Sequence, residues 1–278
     1  MSSYKTPSYK APLPSERRGF SHAGCRQKRP RAGFFKLTCC SGCGFELAYF
    51  QKNLEETLDA FDFSFFRLAS SAGAPDGPFD LALVEGAVTE PFQIIELKKI
   101  RHVSKTLYAI GSCAITGGIP AIKALAPEAE VEQEAYKESL YRLASTRPHV
   151  VGDYVKVDGH VRGCPPGEGD LQEALASVLM GKDPEFTHHS VCMECKMADN
   201  ACVLVEEGLP CLGPVTNAGC GALCPAHHRA CYGCFGLMGQ ANVPALKGRF
   251  RELGRFSEED IENRFFTLFG ALGNTERK

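Results

Sequence analysis

The sequence predicts an α/β protein in two parts, a doubly wound parallel sheet followed by a loop-rich region organised around cysteine. Three observations carry that prediction. From residue 32 to about residue 180, short apolar runs alternate with amphipathic stretches, the pattern of βαβ units that build a parallel sheet. Beyond that, eight of the chain's 14 cysteines fall between Cys192 and Cys234, with five glycines and three prolines in the same window and little periodicity. The composition, 44% hydrophobic and 23% charged over 278 residues, is that of an ordinary folded chain with room for about two domains of roughly 150 residues.

In chain order, residues 1–31 read as an extended basic arm: four prolines, and eight Lys/Arg against the single acid Glu16, a net charge of +7. The whole chain has 31 basic and 33 acidic residues, which leaves 23 against 32, or −9, for the remainder. The arm is therefore either held against an acidic surface or a disordered tail. Strands are expected at residues 32–37, 61–68, 79–85, 106–110 and 154–161. Helices are expected at 45–58, 90–103, 119–125 and 170–180, the last with Asp170 as N-cap and Leu171, Leu175, Val178 and Leu179 at helical spacing. The long connection 126–153, helical around 132–142, reads as an insertion. Residues 32–185 then form one domain and 186–278 a second, built around something other than a hydrophobic core and closed by an amphipathic helix over 258–268.

Several functions drop out. No apolar run reaches about 18 residues, so no spanning helix is expected. A formal charge of −2 offers no overall attraction to nucleic acid. Arg17-Arg18 superficially matches a twin-arginine export signal, but SHAGCRQKRPR follows, polar and basic where an apolar stretch is required. A cytoplasmic chain with reduced thiols is expected, and thiols kept in such number serve as metal ligands or in redox chemistry.

In an open parallel sheet, ligands gather beyond the carboxyl ends of the strands. Cys39, Cys40 and Cys43 follow the first expected strand, Cys113 the fourth and Cys164 the fifth. With a flavodoxin-like strand order of 2-1-3-4-5, those loops share one edge. Glycines at 42, 44, 111, 117, 118, 163 and 167 flank the thiols and let the backbone approach a bulky anionic object. The competing reading is a set of buried structural thiols. The second-half run is Cys192-x2-Cys195-x6-Cys202-x8-Cys211-x8-Cys220-x3-Cys224-Pro225-x6-Cys231-x2-Cys234, enough for two tetrads. It has neither the paired C-x2-C of a zinc ribbon nor the tandem spacing of a bacterial ferredoxin, so zinc and iron–sulfur both remain open on spacing.

The motifs FFKLTCCSGCGFEL (34–47), FDLALVEGAVTE (79–90), AIGSCAITGGI (109–119), VDGHVRGCPP (157–166), VCMECK (191–196) and PCLGPVTNAGCGALCPAHHRACYGC (210–234) span most of the chain in order. Through them the sequence resembles the small, electron-transferring subunit of [NiFe] hydrogenases of the cytoplasmic NAD(P)-linked and sulfhydrogenase type. The resemblance implies a flavodoxin-like doubly wound sheet followed by a loop-rich iron–sulfur domain. It implies a proximal [4Fe–4S] cluster on Cys40, Cys43, Cys113 and Cys164, a middle one on Cys220, Cys224, Cys231 and Cys234, and a terminal one on Cys192, Cys195, Cys202 and Cys211. Membrane-bound relatives commonly have histidine in place of Cys192 and proline in place of Cys224; cysteine at both implies three all-cysteine clusters. The implied partners are a large subunit carrying the Ni–Fe site and flavin-containing NAD(P) diaphorase and iron–sulfur subunits.

Cys39 is then a spare buried thiol beside the proximal site, Cys25 in the arm has no role, and His189 is superfluous as a ligand next to Cys192-x2-Cys195. Glu46 and Glu85 beside the proximal site either relay protons and tune the cluster or cap the following helix. No G-x-G-x-x-G follows a strand, so nicotinamide is expected to bind elsewhere. Two competing functions remain: the same relay serving a ferredoxin, deazaflavin or disulfide reductase, and a non-enzymatic binding module stapled by zinc.

Overall fold

The computed structural model describes residues 29–48, 60–71, 76–137 and 145–269. Five strands, β1 (Arg31–Lys36), β2 (Asp62–Phe66), β3 (Phe79–Glu85), β4 (Ser104–Ile110) and β5 (Gly159–Val161), pair in parallel in the order β2-β1-β3-β4-β5. This is the flavodoxin-like order expected from sequence. The central stretches of its inner strands are apolar on both sides because both faces are covered. Phe34, Leu81 and Leu83 pack on one face against Leu47 of α1 (Gly42–Ala48) and Leu171 and Leu175 of α5 (Glu168–Met180). Phe35, Ala82 and Val84 point the other way, against Leu97 and Ile100 of α2 (Pro91–His102). Two shorter helices, α3 (Gly111–Thr116) and α4 (Glu128–Tyr136), complete the first half.

Local chemistry accounts for the departures from expectation. The first strand starts at Arg31, not after it: the Arg31 N–H donates to Asp80 Oδ2 (2.9 Å) and its guanidinium lies 5.6 Å from the centre of the Phe79 ring. Residues 1–28 of the arm, Cys25 included, lie outside the described residues, as do 49–58 of the expected first helix and 138–144 of the insertion. α1 begins at Gly42, three residues early, and 119–125 is a 3-10 helix with Pro120 in its first turn. α5 begins at Glu168 with Gly167 as its N-cap, which moves Asp170 from the cap into the first turn. The fifth strand is only three residues long. A 3-10 turn over Val151–Asp153 precedes it, and at residue 158 a side chain takes part in the pairing, Asp158 Oδ2 accepting from Leu107 N–H (3.0 Å) and Arg101 Nη1 (2.7 Å).

The second half contains α6 (Val191–Met197), α7 (Val203–Glu206), α8 (Leu223–Ala226), α9 (Val243–Glu252) and α10 (Glu258–Phe269). The expectation that it lacks a hydrophobic core is corrected: Val191, Leu212, Val215, Phe250 and Ile261 form one, and Cys211 and Cys231 are buried within it. α10 runs back onto α3 and the 3-10 helix Ile119–Leu125, tying the halves together. Among the described residues no helix is long and apolar enough to cross a membrane.

Candidate metal centres

Lys36, Glu85, Ile110 and Val161 share one register row across β1, β3, β4 and β5. Cys39, Cys113 and Cys164 each stand three residues beyond it, with Cys40 and Cys43 a little further along the β1 loop. The loops of β4 and β5 are clamped by Ser112 N–H donating to Gly163 O at 2.9 Å. Cys43 sits in the first turn of α1, whose N-terminal end is capped by Glu85, Oε2 accepting from Gly44 N–H at 3.1 Å. Glu85 thus caps a helix, but α1, which precedes it in the chain, and not the following helix α2, whose N-cap is Glu90; burial pushes the Glu85 carboxyl above the usual range. Glu46 lies half-buried on α1.

Burial lifts the Cys43 thiol far above its ordinary range, with Glu85, Cys113 and Cys164 adding to it. Burial likewise raises Cys113 to about 11, helped by Cys164 and Cys40, and raises Cys164, helped by Cys40. Cys40, Cys43, Cys113 and Cys164 therefore form one mutually repelling group. Cys39 is turned back on its own strand, Sγ–H donating to Leu37 O at 3.7 Å, and burial followed by Glu85 raises it to about 12.

In the second half, Cys192 and Cys195 lie on α6, Cys202 caps α7, and Cys211 precedes a 3-10 turn over Gly213–Val215. All four line one small cavity of about 40 Å³, together with Gly213 and Pro214. Burial raises Cys192 to about 11, with Cys211, Cys195 and Cys202 adding to it. Cys220, Cys224, Cys231 and Cys234 make the remaining group: burial raises Cys234 to about 12, reinforced by Cys220, Cys164 and Cys224. Burial also raises Cys231 to about 12, with Cys211 and Cys234 adding.

Two thiols in this last group look outward, Cys234 to Cys164 and Cys231 to Cys211. Hydrogen bonds mark the same junctions, Ser112 Oγ–H to Cys234 O and Cys231 N–H to Cys211 Sγ at 3.3 Å. The Cys220–Cys234 group thus adjoins both others, the sheet-edge group through Cys234 and the Cys192–Cys211 group through Cys231.

The residues present fit a thiolate-bound cluster at each tetrad. Buried thiols that repel one another do not ionise alone; a polycationic core makes the thiolate the stable form. A glycine leaves the space at the first group: a Cβ at Gly111 (φ +77°) would collide with Cys43 Sγ. Backbone N–H groups already point at sulfur, Gly42 to Cys40 and Gly233 to Cys231, each at 3.4 Å. Among the described residues no three His, Cys, Asp or Glu side chains close on a single-ion position, and none of the thirteen described cysteines is in a disulfide.

His189 stays out of all three groups, its Nδ1 lying 3.3 Å from Ser190 O. Sequence reasoning overlooked Ser112, Glu194 and Arg264. Arg264 of α10 donates to Pro210 O and Cys231 O (both 3.0 Å) and stacks on Tyr232, 4.1 Å from the ring centre. Its partners are 33 and 54 residues away, so no local spacing announces them.

The sequence profile of a family described as NADH ubiquinone oxidoreductase, 20 Kd subunit, matches residues 40–178. Over 238 residues the chain is 31% identical to the delta subunit of sulfhydrogenase 2 of Pyrococcus furiosus, covering 86% of this chain and 98% of that one. Among solved structures, a chain of an NAD+-reducing [NiFe]-hydrogenase in the H2-reduced state aligns with a TM-score of 0.51 and 25% identity, over 58% of this chain and 97% of that one. A chain of the Dm. baculatum [NiFeSe]-hydrogenase aligns with a TM-score of 0.53 at 17% identity, over 75% of this chain and 94% of that one, a likeness of fold alone.

Proposed function

The chain belongs to the NADH ubiquinone oxidoreductase 20 kDa subunit family, and from that membership we propose that it is the electron-transferring small subunit of a [NiFe] hydrogenase, with three [4Fe–4S] clusters in series. The observation that carries the reading is that the Cys220–Cys234 group adjoins both other cysteine tetrads, the one at the sheet edge and the other in the second half. Cys40, Cys43, Cys113 and Cys164 would hold the cluster that faces a separate large subunit with the Ni–Fe site. Cys220, Cys224, Cys231 and Cys234 would hold the middle one, and Cys192, Cys195, Cys202 and Cys211 the one nearest a flavin-containing, NAD(P)-reducing partner. Such clusters supply one-electron carriers whose potentials, within roughly −700 to +450 mV, follow hydrogen bonding, charge and exposure.

The chain's own residues set the spacing and the surroundings. Cys40 and Cys164 are exposed in the first group and Cys202 in the third, where electrons must enter and leave. Ser112 ties the first group to the second through Cys234 O, and the Cys231 N–H ties the second to the third.

The test is anaerobic purification through a tag on this chain, with metal, sulfide and co-purifying subunits measured on one sample. The expected product is brown, bleaches with dithionite, carries about twelve iron and twelve sulfide per chain and brings a nickel-bearing subunit with it. About four iron would leave only the first site. A colourless, zinc-rich product would replace the relay with a zinc-stapled binding module.

A further inference from the structure

Glu194 lies on α6 between Cys192 and Cys195, yet its side chain serves a different tetrad. Oε1 accepts from Gly219 N–H at 2.8 Å and Oε2 from Ala222 N–H at 3.2 Å, one residue before and two after Cys220. The Cys220 thiol itself points at Oε2 from 3.9 Å. The loop it grips is an uncommon one. Gly219 has φ +131°, where a side chain would run into the Phe235 ring, and the fully buried Ala222 has φ +54°, a left-handed conformation that a non-glycine residue holds only when its surroundings enforce it.

On the relay reading given above, we propose that Glu194 is a positioning residue that holds the Cys220 loop in its cluster-binding conformation and lowers the reduction potential of the middle cluster. The two backbone donors need two acceptors at once, which a carboxylate provides and an amide does not. The same carboxylate puts negative charge beside a ligand sulfur, so an added electron is less welcome there than next to a neutral group. Asp170 of α5 puts a second carboxyl group against the same loop, its Oδ2 3.1 Å from where a Cβ at Gly219 would lie, and Arg162 adds a base; Glu194 is the acid that accepts the Gly219 and Ala222 N–H groups. Because α6 also carries two ligands of the next tetrad, one seven-residue helix fixes the separation of the two centres.

The experiment is an EPR-monitored redox titration of the anaerobically purified complex, wild type against Glu194→Gln and Glu194→Asp, with iron counted on each sample. In Glu194→Gln about twelve iron should remain and the ratio of reduced to oxidised middle cluster at fixed potential should rise about tenfold, a 59 mV shift, while the other two midpoints stay put. Glu194→Asp, which keeps the charge, should shift by less. An unchanged middle midpoint, or an equal shift in all three clusters, overturns the proposal. If Glu194→Gln loses about four iron, recovery of that iron in Glu194→Asp supports the bracing role, and equal loss in both overturns it. Absence of clusters from the wild type would instead defeat the relay reading.

Discussion

At residue 111 the backbone has φ +77°, and a methyl group there would occupy the space of Cys43 Sγ. Both facts follow from the need to bring the β4 loop against the α1 loop, so that sulfur from each faces the same volume. Gly111→Ala is expected to add about 1–2 kcal/mol of backbone strain and to displace Cys43 from its group. The reconstituted variant should therefore hold about eight iron per chain against about twelve for the wild type. Gly152→Ala is the matched control, because a Cβ there meets nothing within 4 Å. The sequence showed that glycines crowd these cysteines, since both are visible in one dimension. Which glycine touches which sulfur depends on the pairing of β4 with its neighbours and was not legible.

Among the secondary-structure elements, legibility followed how far each one's stabilising partners lie along the chain. β3 was anticipated to the residue because the apolar run Leu81–Val84, flanked by Phe79 and Glu85, is what a strand buried on both faces requires. β5 was overextended because its apolar pattern continues through residues that a 3-10 turn and the Asp158 side chain take out of the ladder. α9 was missed, although its signals are local: Asn242 Oδ1 accepts from Ala245 N–H at 3.0 Å, Pro244 follows the cap, and Leu246 and Phe250 lie four residues apart. That helix matters, because Phe250 is fully buried in the core that also encloses Cys211 and Cys231. Phe250→Ala should cost about 3–5 kcal/mol and reduce iron at the second and third tetrads while leaving the first loaded. Iron analysis combined with denaturation of the purified variant checks both. Uniform iron loss would show that the halves do not fold around separate cores.

For the whole molecule, the proposed relay puts its centres in series, because among the described residues the middle tetrad adjoins both others. Cys164 meets Cys234, and Cys231 meets Cys211, so the middle tetrad touches both others through opposite members. The twelve thiols were all legible as candidates from their number and spacing, but spacing alone carries no order in space; that came only with the resemblance, which makes the group latest in sequence the middle one. A series arrangement makes a sharper demand than a count of clusters. The double variant Cys220→Ala with Cys231→Ala should keep about eight iron, at the first and third tetrads. If the proposed large subunit carries the Ni–Fe site, hydrogen–deuterium exchange by the complex, which would need only that site, should stay at the wild-type rate. Hydrogen-dependent reduction of the physiological acceptor should fall about a hundredfold or more, equivalent to about 2.7 kcal/mol of added barrier. Persistence of acceptor reduction in a variant shown to lack the middle iron would mean that electrons bypass the second half altogether, leaving its two tetrads a structural rather than a conducting role.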